Sequence, residues 1–193
     1  MEERGTNSTT LADLLPRAAQ LYGQAPAIQY KDGDSWVKRS FAEVEETVRA
    51  LALGLIDLGV EKGDKVSILA NTRPEWTYFD FAALSIGATV VPIYQTNSPE
   101  ECQYVLENSD SKVVVVEDDE QIEKIRKVRD QLPKLESVVR MTGSSDDAVS
   151  FGHDPRGLAV RPNLHTQPLR RLGEAVDGRV VVGVTGVPFV DVG

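Results

Sequence analysis

Three short apolar runs, separated by two helical patterns, organise the middle of the chain between residues 64 and 117. Residues 65–70, 88–93 and 112–116 are rich in β-branched side chains and are bounded by turn residues, which is typical of buried strands. Strands that alternate with helices at this spacing predict a parallel sheet with right-handed crossover connections.

The two helical patterns carry local start and stop signals. Pro74 suits a first helical turn, and Gly87 follows the last apolar residue of the first pattern. Ser98 and Glu101 have the spacing of a capping box at the start of the second. The side chains predicted to face the core are Trp76, Phe79, Ala83 and Ile86 in the first helix, and Tyr104, Val105 and Leu106 in the second.

Further elements are predicted on both sides of this unit. An amphipathic helix is expected over residues 10–22, and an Asp-Gly turn between residues 27–30 and 36–39 indicates a hairpin. Ser40 and Glu43 form a second capping box before a long helix. The predicted flanking helices are residues 41–58, 74–86, 99–108 and 120–132, and a fourth parallel strand is predicted at residues 137–141. The predicted fold class is therefore α/β, a partial parallel sheet with flanking helices and an irregular C-terminal tail.

Several motifs within these elements resemble a known family. The sequence NTRPEW at residues 71–76, LSIGATVVPIY at 84–94 and SPEE at 98–101 are similar to the N-terminal region of long-chain fatty-acyl-CoA synthetases. These synthetases belong to the adenylate-forming, or AMP-binding, enzymes. SFAEV at residues 40–44 resembles the first core motif of that superfamily, and the resemblance covers about residues 10–150.

The resemblance implies a reaction as well as a fold. The fold is the N-terminal part of the large domain of adenylate-forming enzymes. Family members join a fatty acid to ATP with Mg²⁺, release pyrophosphate, and transfer the acyl group to CoA. ATP, Mg²⁺ and CoA are thus implied for the full-length family, while no cofactor is expected in this chain. The family's phosphate loop, its nucleotide motifs and its C-terminal catalytic lysine are not found here, so no catalytic residue is predicted.

Candidate substrate-side residues follow from the strand ends. In an open α/β sheet, ligands bind outside the carboxyl ends of the strands. This rule selects Asn71 and Arg73 after the first parallel strand, and Tyr94 and Thr96 after the second. Structural roles compete with this interpretation, since Arg73 also precedes a helix and Tyr94 can close a packed loop.

Composition and charge exclude several classes of protein. The formal net charge of −9 argues against nucleic acid as a partner. A single cysteine, Cys102, indicates a reducing compartment. The N-terminus lacks the apolar core of a signal peptide, and no apolar run approaches the roughly 20 residues of a membrane span. A cytoplasmic location without a transmembrane segment is therefore expected.

The composition changes beyond residue 150. Residues 151–193 contain no Lys and no Ile, and 25 of them are Val, Gly, Arg or Pro. This bias predicts three parts: a flexible N-terminus at residues 1–9, the family region at 10–150, and a divergent tail at 151–193 translated out of frame or degraded. Residues 151–175 are expected to lack stable packing. The Val-rich segment of the tail is compatible with one strand.

The tail also contains two features that resemble functional sites. Thr185-Gly186-Val187-Pro188 is similar to part of the family's phosphate loop, but Val184 and Phe189 stand where a hydroxyl and a lysine are expected. Two histidines, His153 and His165, are accompanied by no Cys and no acidic cluster at metal-ligand spacing, so no metal site is predicted.

Two classes of function remain open. In the first, the chain is a truncated long-chain fatty-acid–CoA ligase, inactive alone, which uses fatty acid and ATP only if a partner chain supplies the missing half. In the second, it is a non-catalytic binding or interaction module. In either case, uncovered apolar surfaces are expected to favour self-association.

Overall fold

The computed structural model describes residues 5–141, together with the backbone of residues 149–151 and 160–161. The helices are α1 (Leu11–Tyr22), α2 (Phe41–Asp57), α3 (Pro74–Ser85), α4 (Pro99–Ser109) and α5 (Asp119–Val128), and a 3₁₀ turn (Arg129–Gln131) follows α5. The strands are β1 (Pro26–Asp32), β2 (Ser35–Ser40), β3 (Lys65–Leu69), β4 (Thr89–Ile93), β5 (Ser111–Val116), β6 (Ser137–Arg140), β7 (Val149–Phe151) and β8 (Val160–Arg161).

The predicted parallel sheet is confirmed. Its strand order is β4-β3-β5-β6-β7-β8, and the pairs from β4 to β7 are parallel while β8 joins antiparallel. Strand β3 lies between β4 and β5, with Leu69 opposite both Ile93 and Val116. The carboxyl ends of β3, β4 and β5 therefore meet at one side of the sheet, called the carboxyl edge below. Strands β1 and β2 form the separate predicted hairpin.

Local capping explains why the helix starts were predictable. The Ser40 hydroxyl accepts a hydrogen bond from the Glu43 N–H, and the Glu43 carboxylate accepts one from the Ser40 N–H. Ser98 and Glu101 make the same reciprocal pair before α4. Each box satisfies N–H groups that have no partner within the helix.

The helix predicted over residues 120–132 is shorter in the structure. It ends at Val128, and the last residues form the 3₁₀ turn. The Arg129 guanidinium donates to the Leu132 carbonyl at 3.0 Å, and the Leu132 N–H donates to the Arg129 carbonyl at 3.1 Å. These contacts tighten the last turn ahead of Pro133, because a 3₁₀ turn satisfies carbonyls that an α-helix end leaves open.

Two hydrophobic clusters lie on opposite faces of the sheet. Helices α1, α2 and α3 cover one face, where Leu51, Leu55 and Phe79 are fully buried. Helices α4 and α5 cover the other face, where Cys102 and Leu106 pack against alternate residues of the strands. The prediction that Tyr104 faces the core was wrong, because that side chain is 67% exposed. Tyr104 lies two positions from both Cys102 and Leu106, which places it on the opposite side of α4.

The predictions for the tail fall mostly outside the described residues. Residues 142–148, 152–159 and 162–193 are not described, and they include both histidines and the segment similar to a phosphate loop. Within the tail, residues 160–161 pair with residues 150–151. Among the helices that the structure describes, none is long and apolar enough to cross a bilayer.

Candidate functional site at the carboxyl edge

Glu117 connects two strand ends at the carboxyl edge. It follows β5 directly, and its backbone N–H donates to the Leu69 carbonyl at the end of β3. One carboxylate oxygen accepts hydrogen bonds from the Asn71 backbone N–H at 2.8 Å and from the Asn71 side-chain amide at 3.0 Å. The other accepts from the Arg73 guanidinium at 3.2 Å. Two of the predicted substrate-side residues thus meet on one carboxylate.

Arg73 is held by two carboxylates. Its Nε donates to Glu75 at 2.7 Å and its Nη1 donates to Glu117 at 3.2 Å. The hydrogen bond that Arg73 donates to Glu75, together with the charges of Glu75 and Glu117, raises the pKa of Arg73 against the opposing effect of burial. Only 26% of the Arg73 side chain is exposed, so solvent screens these ion pairs less than it screens a surface pair. Asn71, Arg73, Glu75 and Glu117 are called the Glu117 cluster below.

A second ion pair lies farther along the same edge. Arg140, the last residue of β6, donates from both terminal nitrogens to the two Asp119 oxygens at 2.6 and 2.9 Å. Arg140 is 7% exposed, whereas the Asp119 side chain is 75% exposed. This two-bond geometry is the strong form of the Arg–carboxylate interaction, and it joins the end of β6 to the start of α5.

Tyr94 and Thr96 follow β4 but stay apart from the Glu117 cluster. Both side chains are exposed, Tyr94 by 78%. In the described part of the chain, neither side chain makes a hydrogen bond or an ion pair with Asn71 or Arg73. Between them, the Gln95 carbonyl accepts a hydrogen bond from Lys124 of α5 at 2.5 Å. The structure therefore brings two of the four predicted residues together and leaves the other two at the surface.

Several residues at this edge were not predicted from the sequence. Glu117 directly follows the apolar run at residues 112–116, so the strand-end rule that selected Asn71 also applies to it. Arg140 ends β6, the predicted fourth strand, so the same rule applies to it, whereas Asp119 follows no strand directly and is found only through its pairing with Arg140. Glu75 lies next to Pro74 in the predicted first turn of a helix, which gives no signal that it shares Arg73 with Glu117.

The Glu117 cluster does not fit the phosphates of ATP. A phosphate site needs several converging N–H or hydroxyl donors and a free cation. Here the Asn71 and Arg73 donors already point at carboxylates. The edge also carries more negative than positive side chains: Glu75, Glu117, Asp118, Asp119 and Glu120 against Arg73, Lys124 and Arg140. Within the described ranges, no group of three or more His, Cys, Asp or Glu side chains is arranged to hold a metal ion.

Curated relatives of the chain are fatty-acid–CoA ligases. Long-chain-fatty-acid–CoA ligase FadD15 of Mycobacterium tuberculosis is 40% identical over 155 residues, which cover 79% of this chain and 26% of that ligase. Long-chain-fatty-acid–CoA ligase ACSBG2 of Xenopus laevis is 35% identical over 157 residues, which cover 81% of this chain and 20% of that ligase. The chain therefore spans about a fifth to a quarter of the length of these relatives.

Solved structures and a family model agree with these relatives. A proposed long-chain-fatty-acid CoA ligase from Rhodopseudomonas palustris matches with a TM-score of 0.67 and 26% identity, over 75% of this chain and 35% of that one. The anthranilate CoA ligase AuaEII, solved with anthranoyl-AMP, matches with a TM-score of 0.62 and 26% identity, over 68% and 25%. The family model described as AMP-binding enzyme matches residues 15–169. With most of its length matched, the chain belongs to the AMP-binding enzyme family.

Proposed function

We propose that this chain is the N-terminal part of the large domain of a long-chain fatty-acid–CoA ligase. In the whole protein, a fatty acid, ATP and CoA would give acyl-CoA, AMP and pyrophosphate. The match of residues 15–169 to the AMP-binding family carries this proposal, and the names of the curated relatives supply the substrate class. Fatty acid and ATP are therefore the proposed substrates, with Mg²⁺ and CoA required by the whole enzyme.

This part of the domain would act as a scaffold for the substrate side. The carboxyl edge contains side chains fixed by ion pairs, and ligands of open α/β sheets bind at such an edge. The Glu117 cluster and the surface residues Tyr94 and Thr96 are the proposed contributors. Because an acidic edge repels the phosphates of ATP, we do not assign it to the nucleotide, and its proposed role is on the acyl side, away from the fatty-acid carboxylate.

The chain alone is proposed to be inactive. Adenylation requires donors and cations that stabilise the charge developing at phosphorus, and the Glu117 cluster does not fit that role. A partner chain carrying the rest of the domain would have to supply these groups. A non-catalytic interaction module remains the alternative, and both the divergent tail at residues 151–193 and the cytoplasmic location stay predictions.

Complementation tests the proposal. The 193-residue chain is mixed with FadD15 from which the 155 matched residues have been removed, and acyl-CoA formation from palmitate is measured. We expect the two chains to bind and to form acyl-CoA, while each chain alone stays at background. Binding without acyl-CoA formation would favour the interaction module. Absence of binding between two folded chains would contradict both proposals.

A further inference from the structure

Residues 71–73 are linked to the end of β5 through the side chain of Glu117. They connect β3 to α3, and Arg73 occupies the position before α3 without capping that helix through its side chain. In the described part of the chain, each side-chain hydrogen bond that ties these residues to another strand ends on Glu117. The pairing spans 44 to 46 positions in sequence, so it is a tertiary contact and not a property of the turn.

Glu117 is well placed to fix this segment. Its backbone is anchored to the Leu69 carbonyl at 3.1 Å, and 15% of its side chain is exposed. A carboxylate held this way presents two acceptor oxygens in fixed directions, one toward Asn71 and one toward Arg73. Hydrogen bonds to a charged acceptor are stronger than those between neutral groups, and the Asn71 bonds are of this kind.

A neutral side chain of the same size cannot replace it. Glutamine offers one carbonyl oxygen and one NH₂ group, so it would direct a donor at either Asn71 or Arg73, which are themselves donors. If the NH₂ group faces Arg73, the guanidinium keeps only Glu75, its neighbour two positions away. In either orientation the Asn71 N–H groups lose their charged acceptor, so their hydrogen bonds weaken or break. The consequence would be local: residues 71–73 would lose their link to β5, while the strand pairing would stay in place.

We propose that Glu117 is the positioning residue of the carboxyl edge, holding residues 71–73 in the geometry that the acyl side of the site uses. The functional part of this inference rests on the proposed ligase function. Arg73 then bridges the carboxylates of Glu75 and Glu117, and residues 71 and 72, not the Arg73 charge, face the substrate.

The first test uses the whole 193-residue chain and compares Glu117→Gln with Glu120→Gln. Both changes remove one negative charge at the same edge. The Glu120 side chain, however, is 76% exposed, and its carboxylate lies 3.8 Å from the Lys124 ammonium group. Amide hydrogen exchange is followed residue by residue by NMR. We expect Glu117→Gln to accelerate exchange at Asn71 by about tenfold or more, the loss typical of a hydrogen bond to a charged acceptor. Glu120→Gln should leave it unchanged.

Two outcomes of this test would overturn the inference. Unchanged exchange at Asn71 in Glu117→Gln would mean that the carboxylate does not hold the segment. Equal acceleration at Asn71 and at Ile68 and Val114, inside the central strands, would mean that Glu117 supports the whole sheet and has no local positioning role.

The second test measures the reaction itself, with the chain complemented by the shortened FadD15. We expect Glu117→Gln to raise the KM for palmitate by about tenfold and to lower kcat by less than about threefold, because the segment contributes to binding. Kinetic constants equal to those of the unaltered pair would overturn the role in the reaction. If the unaltered pair is inactive, the proposed function fails, while the exchange at Asn71 still decides whether Glu117 positions the segment.

Discussion

Replacement of Leu51 by alanine tests whether α2 packs as described. Leu51 has no exposed surface and lies in the cluster between α2, α3 and the sheet. Leu53 lies two positions later on the same helix and is 41% exposed. Leu53→Ala is therefore a matched control, because it removes the same atoms from the same helix at a partly solvated site.

The expected magnitude follows from burial. Moving a leucine side chain out of water stabilises the folded state by about 1.5–3 kcal/mol. A fully buried leucine replaced by alanine also leaves a cavity, so the total loss is typically about 2–5 kcal/mol. Because the neighbours Leu55 and Phe79 are themselves fully buried and cannot easily move into the space, we expect about 3 kcal/mol for Leu51→Ala. Leu53→Ala should cost about 1 kcal/mol or less, in proportion to its smaller burial.

Urea unfolding followed by circular dichroism measures both changes. With a slope of about 1.5–2 kcal/mol per molar urea, Leu51→Ala should lower the unfolding midpoint by about 1.5–2 M. A domain with about 5–15 kcal/mol of total stability would remain folded or become marginal. Equal midpoint shifts for Leu51→Ala and Leu53→Ala would refute the packing of α2, since they would mean that both leucines have the same environment.

Three further predictions concern charge and the sheet edge. Burial raises the pKa of Asp80, so its charged form makes the folded state less stable at pH 7. Asp80→Asn should therefore unfold at a higher urea concentration than the unaltered chain at pH 7, but at the same concentration at pH 3. Equal midpoints at pH 7 would contradict this. Hydrogen bonds from the Ser40 backbone and hydroxyl lower the pKa of Glu43 below its usual 4.5. The stability that Glu43 provides is therefore present at neutral pH and is lost as the pH falls through the folded pKa. Glu43→Gln should make the thermal midpoint less dependent on acid pH, and an unchanged dependence would argue against the capping box. Pro92 lies on β4, an edge strand of the described sheet, and offers no backbone N–H to a further strand. Pro92→Val should increase the dimer fraction measured by sedimentation. An unchanged dimer fraction would show that other features block this edge.

Local chemistry made the framework predictable. Pro74 and Ser98 mark helix starts through contacts within one turn, so the sequence contains all that is needed to place them. The run at residues 112–116 matches β5 to within one residue because strands buried on both faces are continuously apolar. Tyr104 was misplaced because apolar character was given more weight than its angular position on α4.

The contacts within the candidate site were predictable only in part, because they join residues that are distant in sequence, and the substrate role of the four selected residues stays a prediction. Strand-end position selects Asn71 and Arg73, but it cannot show that their donors are already taken by Glu117, because that pairing depends on which strands are neighbours. The parallel pairing of β3 and β5, which are separated in sequence by β4, brings these residues together. Position alone also cannot show whether Tyr94 meets a partner, and in the structure this side chain is exposed.

We propose that this chain is part of a fatty-acid–CoA ligase and does not activate a fatty acid by itself. Exchange of labelled pyrophosphate into ATP, in the presence of palmitate and Mg²⁺, measures that step directly. We expect the purified 193-residue chain to give the same exchange as a chain lacking residues 65–117. Palmitate-dependent exchange above that background would contradict it, and would mean that groups within this chain bind and activate the phosphates of ATP.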